Sequence, residues 1–135
     1  MARYLIDSHI LLWAAESPLR LSAGERTVLS DARVDLVVSV ASIWELSIKA
    51  AIGRLAIPGK PQAIPANHFT RSAEKIGIPI IPVEAPEAEY VRQLPRIHDD
   101  PFDRMLIAQA LLGARIIITR DAVFSGYPGV QVFIA

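Results

Sequence analysis

Residues 98–110 read HDDPFDRMLIAQA, and residues 115–119, just beyond them, read RIIIT. The first stretch opens a helix. Asp100 is placed to cap it, Pro101 suits the first helical position, and Asp103 falls at the third. Phe102, Met105, Leu106, Gln109 and Leu112 recur at helical spacing and give the helix a face to bury. Gly113 is placed to close it. Asp103 lies off that stripe, one turn inside an electropositive helix end, so its oxygens can be held rigidly while they look outward. Asp100 and Asp103 also make an ordinary capping pair, which needs no active site to explain it. RIIIT is the most strand-like segment of the chain, and Arg120 and Asp121 follow it at once.

Working outward, Arg3 to Asp7 (RYLID) is a short apolar run that ends in an acid, a buried first strand. His9 to Glu16 follows as a helix, with Ser8 placed to cap it. Asp7 therefore lands at the carboxyl end of a strand beside a helix N-terminus, the edge where open α/β sheets bind ligands. A capping role alone is the competing explanation. Pro18 ends this helix, Ser22 opens another to about Ala32, and Asp35 to Ser39 (DLVVS) is a second strand. A helix then runs from Val40 to about Ile52, with Gly53 as its stop and Ile43, Trp44, Ile48 and Ile52 expected on its buried side. Glu45 sits among them, one turn before Lys49. An ion pair at that spacing contributes only a few tenths of a kcal/mol, roughly, whereas a Glu buried unpaired in an apolar turn is costly.

Arg54 to Ala66 carries Pro58, Pro61 and Pro65 and reads as a connector or surface clamp. Asn67 to Ile76 predicts a helix with Arg71 and Lys75 on one exposed side. Pro79 to Val83 (PIIPV) is a short strand that its prolines keep from a central position. Glu87 to Leu94 is a further helix, and Val130 to Ile134 (VQVFI) a last strand. Asp121 again stands at a strand's carboxyl end, or caps a short turn through Phe124. Strands alternating with helices predict a mainly parallel sheet covered on both faces.

The 135 residues read as a single domain, 1–135, long enough to bury a core without disulfide or metal staples. The absence of cysteine excludes disulfides, thiol catalysis and cysteine zinc sites, and fits a reducing compartment. No apolar run approaches the roughly 20 residues of a membrane span. The apolar N-terminal stretch is broken by Asp7, Ser8 and His9 and lacks a clean cleavage region, so a soluble, cytoplasmic protein is expected. Apolar content is 52%, above the usual range of about 45–50%, and the excess is available to a partner surface. A formal net charge of zero weighs against a dedicated nucleic-acid binder, though acids gathered at one site can mask basic patches elsewhere.

Asp7, Glu45, Asp103 and Asp121 are the candidate site. If they converge they cannot all stay ionised alone, because like charges raise one another's pKa. A divalent metal removes the conflict. Carboxylates with no cysteine and no paired histidines specify Mg²⁺, or Mn²⁺ in its place, rather than zinc. Mg²⁺ takes one or two carboxylates directly, so the others act through water. Such a site can ionise water and steady a phosphodiester oxyanion.

YLIDSHILLW at 4–13, SVASIWELSIKAAIGRL at 39–55, HDDPFDRMLIAQA at 98–110 and IITRD at 117–121 together resemble the PIN-domain ribonucleases, most closely the VapC-type toxins of toxin–antitoxin pairs. The four occur in the family's order and span nearly the whole chain. By resemblance, Asp7, Glu45, Asp103 and Asp121 are the first to fourth acids, and Thr119 matches a hydroxyl position beside the last. Ser8 stands where Thr is commoner, and Asp99 and Asp100 crowd the third position. The resemblance implies a PIN-like three-layer α/β/α sandwich and Mg²⁺-dependent endoribonuclease activity. It also implies homodimers and a cognate antitoxin that reaches the acidic site. Asp7 and Asp103 would hold the metal most directly. Glu45 and Asp121 would complete the pocket or orient the attacking water. Arg54, Arg104 and Arg120 are candidates for phosphate contact, each also explicable as a solvated end.

A non-catalytic PIN-like platform for protein or RNA is the competing function, against which the presence of all four acids argues. Phosphoryl transfer on Asp7 is a third, but position 9 is His9 where the haloacid-dehalogenase-like pattern places a second acid. His9, His68 and His98 are scattered; His98, beside the acids, is the one placed to modulate the site. The RNA target is not written in these motifs, since specificity depends on loop shape.

Overall fold

A computed structural model describes residues 2–55 and 64–133. Four short apolar runs make the sheet: β1 (Arg3–Ile6), β2 (Asp35–Ser39), β3 (Ile80–Ile81) and β4 (Ile116–Ile118). All pair in parallel, in the order β3-β2-β1-β4. Parallel neighbours need crossovers, which the helices supply. These are α1 (Ser8–Glu16), α2 (Ala23–Ser30), α3 (Val40–Ala51), α4 (His68–Lys75), α5 (Ala85–Tyr90) and α6 (Pro101–Gly113).

Register places the core. Leu5 aligns with Val37 and Ile117, and Ile6 with Val38 and Ile118. Successive strand residues point to opposite faces, so each aligned row goes to one side of the sheet. The Leu5 row packs against Leu106, Ile107 and Ala110 of α6, with Leu94 and Phe124. The Ile6 row packs against Ile10 and Leu11 of α1, Leu46 of α3, and Phe69 and Ala73 of α4. Each such side chain stabilises the fold by roughly 1.5–3 kcal/mol relative to exposure. The result is an α/β/α sandwich, with α1 to α4 over one face and α5 and α6 over the other.

Several local expectations are corrected. Helix α1 begins at Ser8, and its N-cap is Asp7 rather than Ser8. Helix α3 has nearly the expected span, and Ile43 packs half-buried against the core as expected, but its fully buried residues are Ala41, Ser42, Glu45 and Leu46. Trp44 and Ile52 are 62% and 60% exposed, and Ile48 is 39% exposed. Most of the circumference of α3 is apolar, so periodicity does not choose its side. The small Ala41 and Ser42 are buried where the larger Trp44, Ile48 and Ile52 are not. On α6, Leu106 and Gln109 are buried as expected, together with Ile107, Ala108 and Ala110, but Leu112 is exposed. The expected last strand is reduced to one parallel bridge between Val132 and Ile117, and Ile134 lies outside the described residues. So do 56–63, which hold Pro58 and Pro61 and most of the expected clamp. No helix among the described residues is long and apolar enough to cross a membrane.

Helix α6 runs through Gly113, and the left-handed residue that ends it is Ala114, at φ 52°. This conformation costs an L-residue with a Cβ about 1–2 kcal/mol. Glycine removes that cost and returns part of it as unfolded-chain entropy. Ala114→Gly is therefore expected to raise stability by about 0.5 kcal/mol in urea unfolding, with an unchanged m-value.

Candidate active site

The carboxyl edge of the sheet is where the acids gather. Asp7 follows β1 directly and caps α1, its Oδ1 accepting from the Ile10 N–H at 3.0 Å. Its Oδ2 accepts from the Thr119 hydroxyl, just past β4. Thr119 Oγ1 in turn accepts from the Asp121 N–H at 3.0 Å, so one hydroxyl ties the ends of two neighbouring strands. Each Asp7 oxygen keeps a second lone pair, which lets one side chain both cap and bind. Burial pushes the Asp7 carboxyl up. The Thr119 and Ile10 hydrogen bonds oppose this, and the charge of Glu45 adds to it.

Glu45 is buried on α3, its Oε2 2.9 Å from Lys49 Nζ. The short-range ion pair is therefore real. It coexists with a longer reach, because the Glu45 charge raises both Asp7 and Asp103. Asp103 projects from the first turn of α6. Hydrogen bonding distinguishes it from its neighbours. Asp100 is the cap, its Oδ1 accepting from the N–H groups of Phe102 at 2.9 Å and Asp103 at 3.1 Å. Asp99 is exposed and 3.4 Å from Arg96. Asp103 Oδ2 instead meets His98 Nε2 at 3.1 Å. Burial pushes the Asp103 carboxyl up to about 6; the His98 hydrogen bond opposes this, and the charges of Asp100 and Glu45 reinforce it.

The structure thus brings Asp7, Glu45 and Asp103 within electrostatic reach of one another through Glu45. Asp121 stands apart from that coupling. It is exposed, and its Oδ1 accepts from the Val123 N–H at 3.0 Å to cap the short turn Ala122–Gly126. Its link to the others is the Thr119 hydroxyl.

Two of the three candidate phosphate-binding arginines are engaged elsewhere. Arg104 donates to the carbonyl oxygens of Pro95 at 2.8 Å and Val91 at 3.2 Å, and to Tyr127 Oη at 3.1 Å. Arg120 forks onto Glu25 at 2.6 and 3.1 Å and lies over the Trp13 ring, 4.9 Å from its centroid. Arg54 and Arg120 are both exposed, and Arg104 is half-buried. The sequence gives no sign of Tyr127, 29 residues from His98, or of the pairing of Arg120 with Glu25, 95 residues away.

The donors are oxygens, which suits a hard cation. Among the described residues no three His, Asp or Glu side chains stand close enough to grip an ion together. An ion held here would rest on one or two carboxylates and retained water, a coordination Mg²⁺ accepts. The like charge that Glu45 and Asp100 bring to bear on Asp103 favours a cation here, and Ser42 Oγ, on the same helix as Glu45, is buried without a partner among the described residues.

A protein-family profile described as the PIN domain matches residues 4–130. No curated relative matches the sequence. Among solved structures, the fold is similar to VapBC2 of Rickettsia felis bound to a promoter DNA fragment, at TM-score 0.71 and 13% identity over 96% of each chain. It is similar to FitAcB of Neisseria gonorrhoeae at TM-score 0.61 and 23% identity, over 97% of this chain and 96% of the other. A toxin–antitoxin complex of Klebsiella pneumoniae matches at TM-score 0.61 and 20% identity over 96% of each chain. At these identities the likeness establishes the fold.

Folded Asp103 keeps its proton up to about pH 6, whereas its ordinary value is 3.8. Between the two the folded state binds more protons than the unfolded chain, so metal-free stability falls as pH rises through that window. Urea unfolding in EDTA is expected to show this decline in the native protein. Asp103→Asn is expected to flatten it and to raise the midpoint at neutral pH.

Proposed function

The chain belongs to the PIN-domain family, and from that premise we propose that it is a Mg²⁺-dependent endoribonuclease, the VapC-type toxin of a toxin–antitoxin pair acting in the cytoplasm. The observation that carries this reading is the cluster of buried Asp7 and Glu45 with half-buried Asp103 at the carboxyl edge of a parallel sheet, where the Glu45 charge bears on both aspartates. Asp7 and Asp103 would hold the ion, with Mn²⁺ as a substitute. The bound ion would supply Lewis-acid stabilisation of charge developing on a phosphodiester. Glu45, held by Lys49, is placed to accept a proton from an attacking water or to orient it. Thr119 holds Asp7 in place. Asp121 would bear on the substrate from the rim.

The antitoxin partner is supported by the assemblies in which similar folds occur, one of them a toxin–antitoxin complex. The homodimer is supported by a surface. Val40, Trp44, Ile48 and Ile52 recur every four residues on the outer side of α3, all at least 39% exposed. Trp44 also stands edge-on to Phe102 of α6, at 5.0 Å between ring centroids. A continuous apolar stripe on a two-fold related helix is self-complementary, and this one uses the apolar excess of the composition.

Asp7→Asn and Asp103→Asn are each expected to abolish saturable Mn²⁺ binding in calorimetry and to slow RNA cleavage on the order of a hundredfold or more, with the circular dichroism spectrum retained. Full cleavage by both variants would overturn the assignment. Absence of Mn²⁺ binding by the folded native protein would favour a non-catalytic binding platform. Ile48→Asp is expected to convert a dimer to a monomer in sedimentation velocity while leaving Mn²⁺ affinity unchanged.

A further inference from the structure

Beside Asp103 runs a hydrogen-bond chain with an obligate donor, Arg104, at one end and a carboxylate at the other. Arg104 can only donate. Its Nη1 lies 3.1 Å from Tyr127 Oη, so the phenol oxygen accepts there. The phenol hydrogen is available to His98 Nδ1, 2.6 Å away, and because the Asp103 carboxylate at the other end can only accept, a neutral ring satisfies both contacts in one tautomer. A ring nitrogen that accepts is bare, which places the imidazole proton on Nε2, facing Asp103 Oδ2 at 3.1 Å. The sequence Arg104 to Tyr127 to His98 to Asp103 closes without a donor facing a donor.

The surroundings hold this chain still. Tyr127 is 2% exposed, and its ring meets the His98 ring nearly perpendicular, at 5.5 Å between centroids. His98 belongs to the segment between the turn Val91–Gln93 and α6. Arg104 grips that segment by four carbonyl oxygens, those of Val91, Leu94, Pro95 and His98, at 2.8 to 3.4 Å. Arg104 is the neighbour of Asp103 on α6. One residue of the helix thus fastens the loop whose histidine positions the next residue's carboxylate. With Oδ2 engaged by His98, Oδ1 is the oxygen left free for an ion.

We propose that, given the ribonuclease reading above, His98 is a positioning residue for Asp103, locked as its Nε2–H tautomer by Tyr127 and Arg104. Removing such support for a ligating carboxylate typically weakens metal binding by about 10–100-fold. Glutamine places an amide N–H close to the position of imidazole Nε2 and needs no help from Tyr127 to do so.

The test uses the full chain. Long-range ¹H–¹⁵N spectra at about pH 8 are expected to show His98 as the Nε2–H tautomer in the native protein and as a tautomer mixture in Tyr127→Phe. Calorimetric Mn²⁺ titration is expected to give a roughly tenfold loss of affinity in Tyr127→Phe, a larger loss in His98→Ala, and near-native affinity in His98→Gln. In the His98→Gln background, Tyr127→Phe is expected to cost nothing further. An Nδ1–H tautomer in the native protein, or equal costs of Tyr127→Phe in both backgrounds, would overturn the proposal. Should the native protein bind no Mn²⁺, the ribonuclease reading fails while the tautomer still decides the hydrogen-bond chain.

Discussion

Buried like charge is the constraint on which this structure turns. Withdrawing a carboxylate from water costs several kcal/mol unless something compensates it, and a whole domain is stable by only about 5–15 kcal/mol. Each of the three coupled acids accordingly has a dedicated partner. Asp7 has a helix N-terminus and a hydroxyl, Glu45 an ammonium one turn away, and Asp103 an imidazole. None of these partners offsets burial and like charge altogether, since the Asp7 and Asp103 carboxyls remain raised, chiefly by burial. The two apolar rows of the sheet, Leu5–Val37–Ile117 and Ile6–Val38–Ile118, offset that residual cost. They lie directly beneath the acids that follow the strands, so the best-packed part of the molecule supports its least comfortable part.

Much of the scaffold was legible in the sequence because it is local. A run such as RYLID ends in an acid wherever the strand ends, and DLVVS followed by a helix leaves little freedom in where α3 begins. The positions of Asp7 and Glu45 follow from those boundaries. The order and parallel pairing of the strands, by contrast, needed contacts between distant segments.

The failures share a physical cause. Helix α3 is apolar nearly all round, so Trp44, Ile48 and Ile52 looked like a buried face when the small Ala41 and Ser42 were the ones buried. Asp7, Asp100 and Asp121 all cap helices or turns, and capping was weighed as an alternative to function. The structure separates them by what else each carboxylate meets. Asp7 caps with one oxygen and meets Thr119 with the other while Glu45 bears on it. Asp100 accepts from two amides, and Asp103 is left to face inward. Capping and site membership compete only when both need the same lone pairs.

The arginines carry the last step. A neutral chain that acts on RNA must find its positive charge somewhere, and Arg104 and Arg120, flanking the third and fourth acids in sequence, looked like the source. Both are turned to internal tasks. Arg120 is clasped by Glu25, which it holds below the usual carboxylate range, and stacked on Trp13. Arg104 fastens a loop. A guanidinium already satisfied by carbonyls or a carboxylate gains little from a phosphate, because each new bond replaces an existing one. For the proposed ribonuclease, attraction of the substrate at the acidic edge therefore falls chiefly to a bound cation. That fits a site whose own carboxylates, left alone, would repel RNA.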